Sequence, residues 1–166
     1  MNLVFLSNEF YNDFSGYAEI LQKEKRPYVM FLVCYNNLDF AIPFRSNVKH
    51  SFCYKTSKTI DTAIDFTKSV IIIDHKYVYR DEKNPPKLRD EEFKEIKGKD
   101  YQIKTKFIKY ITDYIKSFDK LKSDKAHYRD YQLCKFSTLQ NYHSHLGISD
   151  DFNITISNFE AKNNQK

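Results

Sequence analysis

Residues 45–50, which read Arg-Ser-Asn-Val-Lys-His, form the densest group of side chains that could take part in a reaction. Metal-independent cleavage of RNA requires a base for the ribose 2′-hydroxyl, a donor that stabilises the phosphorane and an acid for the leaving 5′-oxygen. His50 could be the base or the acid, because histidine changes its charge near neutral pH. Arg45 and Lys49 could hold the phosphate, and Ser46 could donate a hydrogen bond to a non-bridging oxygen. Lys49 is a second candidate for the base.

The same segment also fits a purely structural interpretation. A short basic run after a strand is commonly a solvated loop, and Ser-Asn pairs are common in turns. Asn47 could therefore shape the turn as readily as it could contact RNA. The residue types leave both interpretations open, and they predict a polar loop that a preceding strand holds in place.

Metal and cofactor sites are not predicted. His143 and His145 lie two residues apart, but the only acidic or cysteine partners close to them in sequence are Asp150 and Asp151. The absence of a glycine-rich phosphate loop disfavours nucleotide-dependent chemistry. No carboxylate pair indicates metal-assisted hydrolysis, because the acidic candidates are scattered along the chain: Asp61, Asp65, Asp74 and Asp81.

The composition is compatible with a polyanionic partner. Lys and Arg number 27 against 22 Asp and Glu, which gives a formal net charge of +5 and a pI of about 8.9. Several of the 14 Phe and 13 Tyr lie beside lysines, a combination that single-stranded RNA binders use for stacking and charge neutralisation. Ordinary solubility charge would give the same balance, and Phe10, Phe14 and Phe52 would also suit a hydrophobic core.

The cysteines and the hydropathy pattern indicate a cytoplasmic protein. Cys34, Cys53 and Cys134 are odd in number and lack metal-ligand spacing, so they indicate reduced thiols, and the first two are expected to be buried. No stretch has the roughly 20 apolar residues of a membrane span. Because the N-terminus lacks a basic region, we expect no signal peptide.

Short β-favouring runs fill the first half of the chain, and helical patterns fill the second. Strands are predicted at 3–6, 28–35, 38–44 and 69–74, with Asn36-Asn37 as a hairpin turn and 77–79 pairing with the last strand or continuing it. One or two short helices are predicted at 8–21, with Asn8 as the cap, single helices at 90–97 and 100–122, and a helix or helix pair at 127–142. This segregation predicts an α+β fold, in which helices pack around a strongly curved antiparallel sheet or partial barrel. We expect one domain over residues 1–160 and a polar, disordered tail over residues 161–166.

Three segments together resemble the toxins of type III toxin–antitoxin systems, and more narrowly the TenpN/CptN branch of the ToxN-like family. They are Phe5 to Tyr11, Ala41 to His50, and Ile64 to Ile72, which reads Ile-Asp-Phe-Thr-Lys-Ser-Val-Ile-Ile. The resemblance covers roughly residues 1–150. Its most specific part is Pro-Phe-Arg-Ser-Asn-x-Lys-His at residues 43–50.

This resemblance implies a metal-independent endoribonuclease without a cofactor, built on a curved sheet similar to that of the MazF/Kid toxins. Such toxins cleave cellular RNA at A-rich sequences and leave 2′,3′-cyclic phosphate and 5′-hydroxyl ends. Their antitoxin is an RNA and not a protein. The toxin cuts a tandem-repeat precursor, and each repeat folds as a pseudoknot that inhibits the toxin in a closed toxin–RNA assembly. The family acts in plasmid maintenance and in abortive infection against phage.

The resemblance also implies catalytic residues, with some departures from the family pattern. The catalytic loop of the ToxN relatives reads Pro-Leu-Thr-Ser-x-Lys, so Ser46 matches the serine and Arg45 stands where a threonine would be. Lys49 matches the lysine only after a one-residue gap. We expect Lys49 or His50 to activate the 2′-hydroxyl, and Arg45 and Ser46 to stabilise the phosphorane.

RNA contacts are expected over a wider surface. An early tyrosine of the relatives matches Phe10 by count, although Tyr11 could take its role, and Asn47 adjoins the catalytic loop. Basic residues along the chain are candidates for contacts to the antitoxin RNA: Lys55, Lys58, Lys76, Arg80, Lys104, Lys106 and Lys109.

Two other functions fit the same residues. One is a non-catalytic RNA-binding module of a defence system, and the other is a protein-interaction domain without nuclease activity. A tandem-repeat array upstream of the coding sequence, or co-purification with short RNAs of one repeat length, would separate these functions from a type III toxin.

Overall fold

Strands occupy the first half of the chain and helices mostly the second, which confirms the predicted α+β class. The computed structural model describes residues 1–22, 27–123 and 125–163. Its strands are β1 (Leu3–Leu6), β2 (Met30–Tyr35), β3 (Leu38–Ser46), β4 (Cys53–Lys55), β5 (Thr62–Asp65), β6 (Val70–Ile72) and β7 (Val78–Tyr79). Its helices are α1 (Asn8–Asp13), α2 (Asp90–Ile96), α3 (Asp100–Leu121), α4 (Tyr128–Lys135) and α5 (Phe152–Asn163).

The hairpin of β2 and β3 lies at the centre of the sheet. Its strands are rich in aromatic and β-branched residues, and they pair in register from Met30 opposite Pro43 to Tyr35 opposite Leu38. Asn36 and Asn37 have φ angles of 50° and 59°. Two consecutive positive φ angles suit a tight two-residue hairpin turn, which asparagine tolerates better than most residues. The predicted hairpin is confirmed.

The described strands form one antiparallel sheet in the order β4-β5-β3-β2-β1-β7, with β6 also paired to β3. The first part of β3 pairs with β6, where Asp39 lies opposite Ile72, and its last part pairs with β5, where Arg45 lies opposite Ala63. In this order β4 and β7 are the end strands, and the sheet is not closed into a barrel. The length of β3 therefore brings β5 alongside the segment that the sequence singles out.

Two features of the sheet differ from the prediction. Strands β4 and β5 were not predicted, because they have only three and four residues and contain polar side chains. Residues 77–79 were predicted to pair with or continue the strand at 69–74, but β7 pairs with β1. The reason is a turn that the Asp74 carboxylate closes by accepting a hydrogen bond from the Lys76 backbone N–H at 2.9 Å.

Helix α3 supplies the largest apolar surface that packs on the sheet. Its buried residues recur at spacings of three and four, as predicted. Phe107 is fully buried, and its ring lies 5.2 Å from that of Phe40 in β3 and 5.5 Å from that of Phe66. No helix in the described parts of the chain has the length and apolar character needed to cross a membrane.

The shorter helices depart from the predicted boundaries. Helix α1 ends at Asp13, and its cap is Ser7 instead of Asn8, since the Ser7 hydroxyl accepts a hydrogen bond from the Phe10 backbone N–H. The helix or helix pair predicted at 127–142 is α4 followed by a 3-10 turn over Thr138–Tyr142. Helix α5 was not predicted. It runs past the predicted start of the tail at 161, and residues 164–166 lie outside the described residues.

The cysteines are free thiols, but only Cys134 is fully buried. Cys34 was expected in the core and is exposed, because it lies near the hairpin turn on the face of β2 opposite the buried Phe31 and Val33. Cys53 is half-buried.

Replacing Phe107 with alanine should cost about 3–5 kcal/mol of unfolding free energy, because it removes a fully buried ring between helix and sheet. Urea denaturation followed by circular dichroism measures the change. Lys104→Ala on the exposed side of the same helix is the control, with an expected change below about 0.5 kcal/mol. Equal midpoints for the two variants would contradict this account of the core.

Candidate active site

Four elements bring residues 45–50 next to an acidic side chain that the sequence did not single out. Arg45 lies near the end of β3, opposite Ala63 of β5, and Asp65 is the last residue of β5. Asp65 also lies opposite Cys53 of β4. The chain between β3 and β4 carries His50 back toward the same position, where the Cys53 thiol donates a hydrogen bond to the His50 carbonyl at 3.3 Å.

The Asp65 carboxylate is the centre of this group, and it is 0% exposed. Its Oδ2 accepts a hydrogen bond from Arg45 Nη1 at 2.5 Å. Its Oδ1 accepts bonds from the Thr67 backbone N–H at 3.0 Å and the Thr67 hydroxyl at 2.7 Å, and lies 3.4 Å from His50 Nε2. A buried carboxylate with several donors is the arrangement that a charge inside a protein requires. The four residues are called the Asp65 group below.

The hydrogen bonds of the Asp65 group decide its charge. Burial raises the pKa of Asp65, but the hydrogen bonds from His50, Thr67 and Arg45 lower it by more, so that its pKa lies below the usual range. Asp65 is therefore a carboxylate at neutral pH. It can accept a hydrogen bond from each partner and hold the imidazole and the guanidinium side by side.

His50 keeps part of its hydrogen-bonding capacity unused. Its side chain is 36% exposed, and Nε2 also lies 3.4 Å from the Thr67 hydroxyl. Its buried Nδ1 has no hydrogen-bond partner among the residues that the structure describes. Since a neutral imidazole has one donor and one acceptor nitrogen, a ring that donates to Asp65 through Nε2 has an unoccupied acceptor in Nδ1.

Lys49 belongs to a second cluster, which is centred on Asp61. Lys49 and Lys55 donate to the two oxygens of Asp61 at 2.9 and 2.7 Å, and these bonds lower the pKa of Asp61 to about 2. The Lys49 side chain is 80% exposed. Asn47 has a φ of 60°, and its N–H donates to the Asp61 carbonyl at 2.8 Å. Asn47 thus shapes the turn, and the Lys49 amine is bonded to Asp61 and not to the Asp65 group.

Ser46 faces a different environment. It is exposed at the end of β3 and lines a cavity of about 360 Å³. Arg45 lines the same cavity, together with Lys87 and Arg89 from the segment before α2. Arg45 therefore connects the Asp65 group with this basic cavity, whose Lys87 and Arg89 were not among the predicted site residues.

Phe10 cannot contact RNA from its position in the fold, so this prediction is corrected. It is 0% exposed, and its ring packs 4.9 Å from Phe14 and 5.9 Å from Tyr77. Tyr11 is half-buried, and burial raises its pKa to about 12. Its phenol is neutral at physiological pH and can act as a hydrogen-bond donor.

The predicted RNA-binding cations divide between two ends of the sheet. Lys76 lies 3.7 Å from Asp13, and Arg80 donates to the Leu3 carbonyl at 3.1 Å. These contacts place both residues near β1 and β7, at the end of the sheet opposite β4. They do not belong to the surface around the Asp65 group.

The remaining predicted cations lie on the side of β4 and α3. Lys106 Nζ lies 4.9 Å above the ring of Tyr54, a residue of β4, and Lys55 follows it. Lys109 bonds to Asp113 at 2.8 Å. The predicted residues with exposed side chains in this region are Lys55, Lys58, Lys104, Lys106 and Lys109.

Asp65 and Thr67 are the residues that sequence reasoning missed. Asp65 was counted among scattered carboxylates, although it follows the apolar pair Ala63-Ile64 and precedes Phe66. An acidic residue inside an apolar run must find donors if the run is buried. This signal, together with a threonine two residues later, could have identified the pair.

His143, one of the two histidines at 143 and 145, has a structural role, whereas His145 is exposed. His143 is buried, and its Nε2 lies 2.8 Å from the Tyr114 hydroxyl. Burial lowers the pKa of His143. Within the described residues, no three His, Cys, Asp or Glu side chains come close enough together to hold a metal ion.

Comparison with models of protein families, with curated proteins and with solved structures finds no significant match. A proposal of function must therefore rest on the residues of the site and their geometry.

Replacing Asp65 with asparagine should cost about 1–3 kcal/mol, because it removes a buried charge that accepts three hydrogen bonds and lies 3.4 Å from His50 Nε2. Because the pKa of Asp65 is lower in the folded chain, its contribution is complete above the unfolded pKa of about 4 and is lost as the pH falls through the folded value. Wild type should thus lose more stability on acidification than Asp65→Asn does. Urea titrations between pH 7 and pH 3 measure both effects.

Asp61→Asn is the matched control, since it removes the same charge from an exposed site. It should change stability far less than Asp65→Asn. Parallel pH profiles for wild type and Asp65→Asn would contradict the role given to this carboxylate.

Proposed function

We propose that this protein is a metal-independent endoribonuclease, the toxin of a type III toxin–antitoxin system of the TenpN/CptN branch. The observation that carries the proposal is the buried Asp65 carboxylate, which holds His50 and Arg45 side by side. Both partners come from residues 43–50, the segment with the most specific resemblance to these toxins. A proton-transfer group beside a fixed guanidinium is what attack by a 2′-hydroxyl on a phosphodiester requires.

The proposed reaction begins with proton transfer from the ribose 2′-hydroxyl to His50, whose ring must turn so that an acceptor nitrogen faces the substrate, because Nδ1 is buried and Nε2 faces Asp65. The 2′-oxygen then attacks the adjacent phosphorus, and the bond from phosphorus to the 5′-oxygen breaks. The leaving oxygen takes a proton from solvent, so that the products have 2′,3′-cyclic phosphate and 5′-hydroxyl ends. Arg45 stabilises the extra negative charge of the phosphorane, and Asp65 orients both residues without itself changing protonation.

The structure changes the relative merit of the two candidate bases. His50 contacts the Asp65 carboxylate, whereas Lys49 is an exposed cation on Asp61. We therefore favour His50 as the base and Lys49 as a residue that attracts the RNA backbone. Ser46 retains its proposed role as a hydrogen-bond donor to the phosphate. It lines the same cavity as Arg45.

The proposal extends to the partners and to the finer shape of the fold. The antitoxin would be a repeat RNA folded as a pseudoknot, which the toxin cuts from its precursor and which closes with it into one assembly in the cytoplasm. Cellular RNA would be the other substrate, and no protein antitoxin is expected.

A strongly curved, partial-barrel sheet like that of MazF/Kid belongs to the same proposal. The successive pairing of β6 and β5 along one edge of β3 supports a bend in that strand.

His50→Ala should lower the rate of RNA cleavage about 100-fold or more, because it removes the proposed base. Purified protein is incubated with unstructured RNA in excess EDTA, and the ends of the products are mapped. Wild type should yield cyclic phosphate ends at an unchanged rate in EDTA. His75→Ala, which removes another exposed histidine at the far end of the sheet, should cleave like wild type. RNA binding without cleavage by wild type would overturn the proposed activity in favour of a non-catalytic module.

Lys49→Ala should weaken RNA binding while reducing the cleavage rate at saturating RNA much less than His50→Ala does. The reason is that the Lys49 amine is exposed and bonded to Asp61, outside the Asp65 group. Single-turnover kinetics over a range of protein concentrations separate binding from the chemical step. A rate at saturation as low as that of His50→Ala would instead identify Lys49 as the base.

A further inference from the structure

A second basic pocket lies between α3 and α4, outside the Asp65 group. It has a volume of about 510 Å³. Four cationic side chains line it, namely Lys109, Lys116, Lys120 and Arg129, and they face two carboxylates, Asp113 and Asp130. An excess of cations in a concave site favours a polyanionic ligand.

Bonds within the protein already occupy the two carboxylates. Asp113 accepts from Lys109 at 2.8 and 3.1 Å. Asp130 accepts from the Ser117 hydroxyl at 2.7 Å and from the His127 backbone N–H at 3.0 Å, with Lys120 at 3.5 Å. Burial raises the pKa of Asp130, but these bonds lower it below the usual range. Asp113 is thus paired with Lys109, and Asp130 with Lys120.

Lys116 and Arg129 are the cations that remain. Both are exposed, and neither has an acidic partner among the residues that the structure describes. Arg129 lies with its Cζ 5.6 Å above the ring of Phe52. A guanidinium on an aromatic ring keeps its outer N–H groups available to an anion.

Phe52 connects this pocket with the proposed catalytic residues. Its half-buried ring lines the pocket, and the ring centroid lies 6.1 Å from that of His50. A row of side chains therefore leads from the Asp65 group into the basic pocket, namely His50, Phe52, Arg129 and Lys116. Single-stranded RNA binders stack an unpaired base on an aromatic ring while nearby cations neutralise the RNA backbone. Here the ring also adjoins the proposed catalytic group.

We propose that the pocket binds single-stranded RNA, with the base of a nucleotide next to the cleaved one stacked on Phe52 and its phosphate held by Lys116 and Arg129. This inference rests on the proposed nuclease function, since it assigns a subsite of the same substrate. Single-stranded RNA fits better than a duplex, because stacking on Phe52 needs a base that is free of its neighbours. Substrate RNA and an unpaired stretch of antitoxin RNA share this chemistry.

The test measures binding of a fluorescent RNA of mixed sequence that is fully 2′-O-methylated, so that it cannot be cleaved. The variant Lys116→Gln/Arg129→Gln should bind less tightly, and the slope of log affinity against log salt should fall by about 0.7 for each lost phosphate contact. The control Lys83→Gln/Lys94→Gln removes the same charge from exposed positions outside the pocket and should leave the slope unchanged. An unchanged slope in the pocket variant would overturn the inference.

The stacking part of the inference has its own variants. Phe52→Leu should weaken binding of the single strand about tenfold, and Phe52→Tyr should restore it, because tyrosine keeps the aromatic face. Urea denaturation verifies that both variants fold. Equal affinities of Phe52→Leu and wild type would exclude stacking at this position. Equal losses for the single strand and for an RNA duplex would exclude the assignment to unpaired RNA.

Failure of the subsite can be distinguished from failure of the nuclease function. If wild type cleaves unmodified RNA but the pocket variants bind RNA like wild type, the subsite alone is overturned. Wild type that binds the methylated RNA through this pocket but cleaves no RNA supports the site and overturns the nuclease. The absence of both binding and cleavage overturns both.

Discussion

The fold around the candidate site depends on the burial of the Asp65 carboxylate. A charge that is removed from water costs several kcal/mol unless donors surround it. Asp65 obtains these donors from three elements: Arg45 at the end of β3, His50 in the following loop and Thr67 in the turn after β5. Each donor must stay in place for the others to be stable. The carboxylate therefore fixes the distance between Arg45 and His50, the side chains proposed to bind the phosphate and to transfer the proton.

Stability alone is a weak reason for such a group. Replacing a buried ion pair by well-packed apolar residues is often neutral or favourable for stability. The surrounding core offers such packing, since Ala63, Ile64 and Phe66 next to Asp65 are buried apolar residues. A polar network in this position is more easily understood as the support of a reactive surface, where an imidazole and a guanidinium must be held in one orientation.

The parts of the fold that depend on local pattern could be predicted from the sequence. The turn at Asn36-Asn37 follows from the backbone preference of asparagine, and α3 follows from the spacing of its apolar residues. Strands β4 and β5 could not be predicted, because three or four residues carry too little pattern and their pairing depends on β3. Residue type predicted a candidate site at 45–50, and the structure brings Arg45 and His50 of this segment together. Its centre was missed, because the role of Asp65 arises from contacts with Arg45, 20 residues away.

The long strand β3 also has a consequence for the order of folding. The hairpin of β2 and β3 closes a two-residue turn, so it can form early and at little entropic cost, whereas β5 must return to β3 over a longer loop. Arg45 and His50 meet their shared carboxylate only when that second pairing is complete. A nascent or partly folded chain would thus contain both proposed catalytic side chains without the carboxylate that orients them. Completion of the sheet is therefore the step that assembles the candidate site.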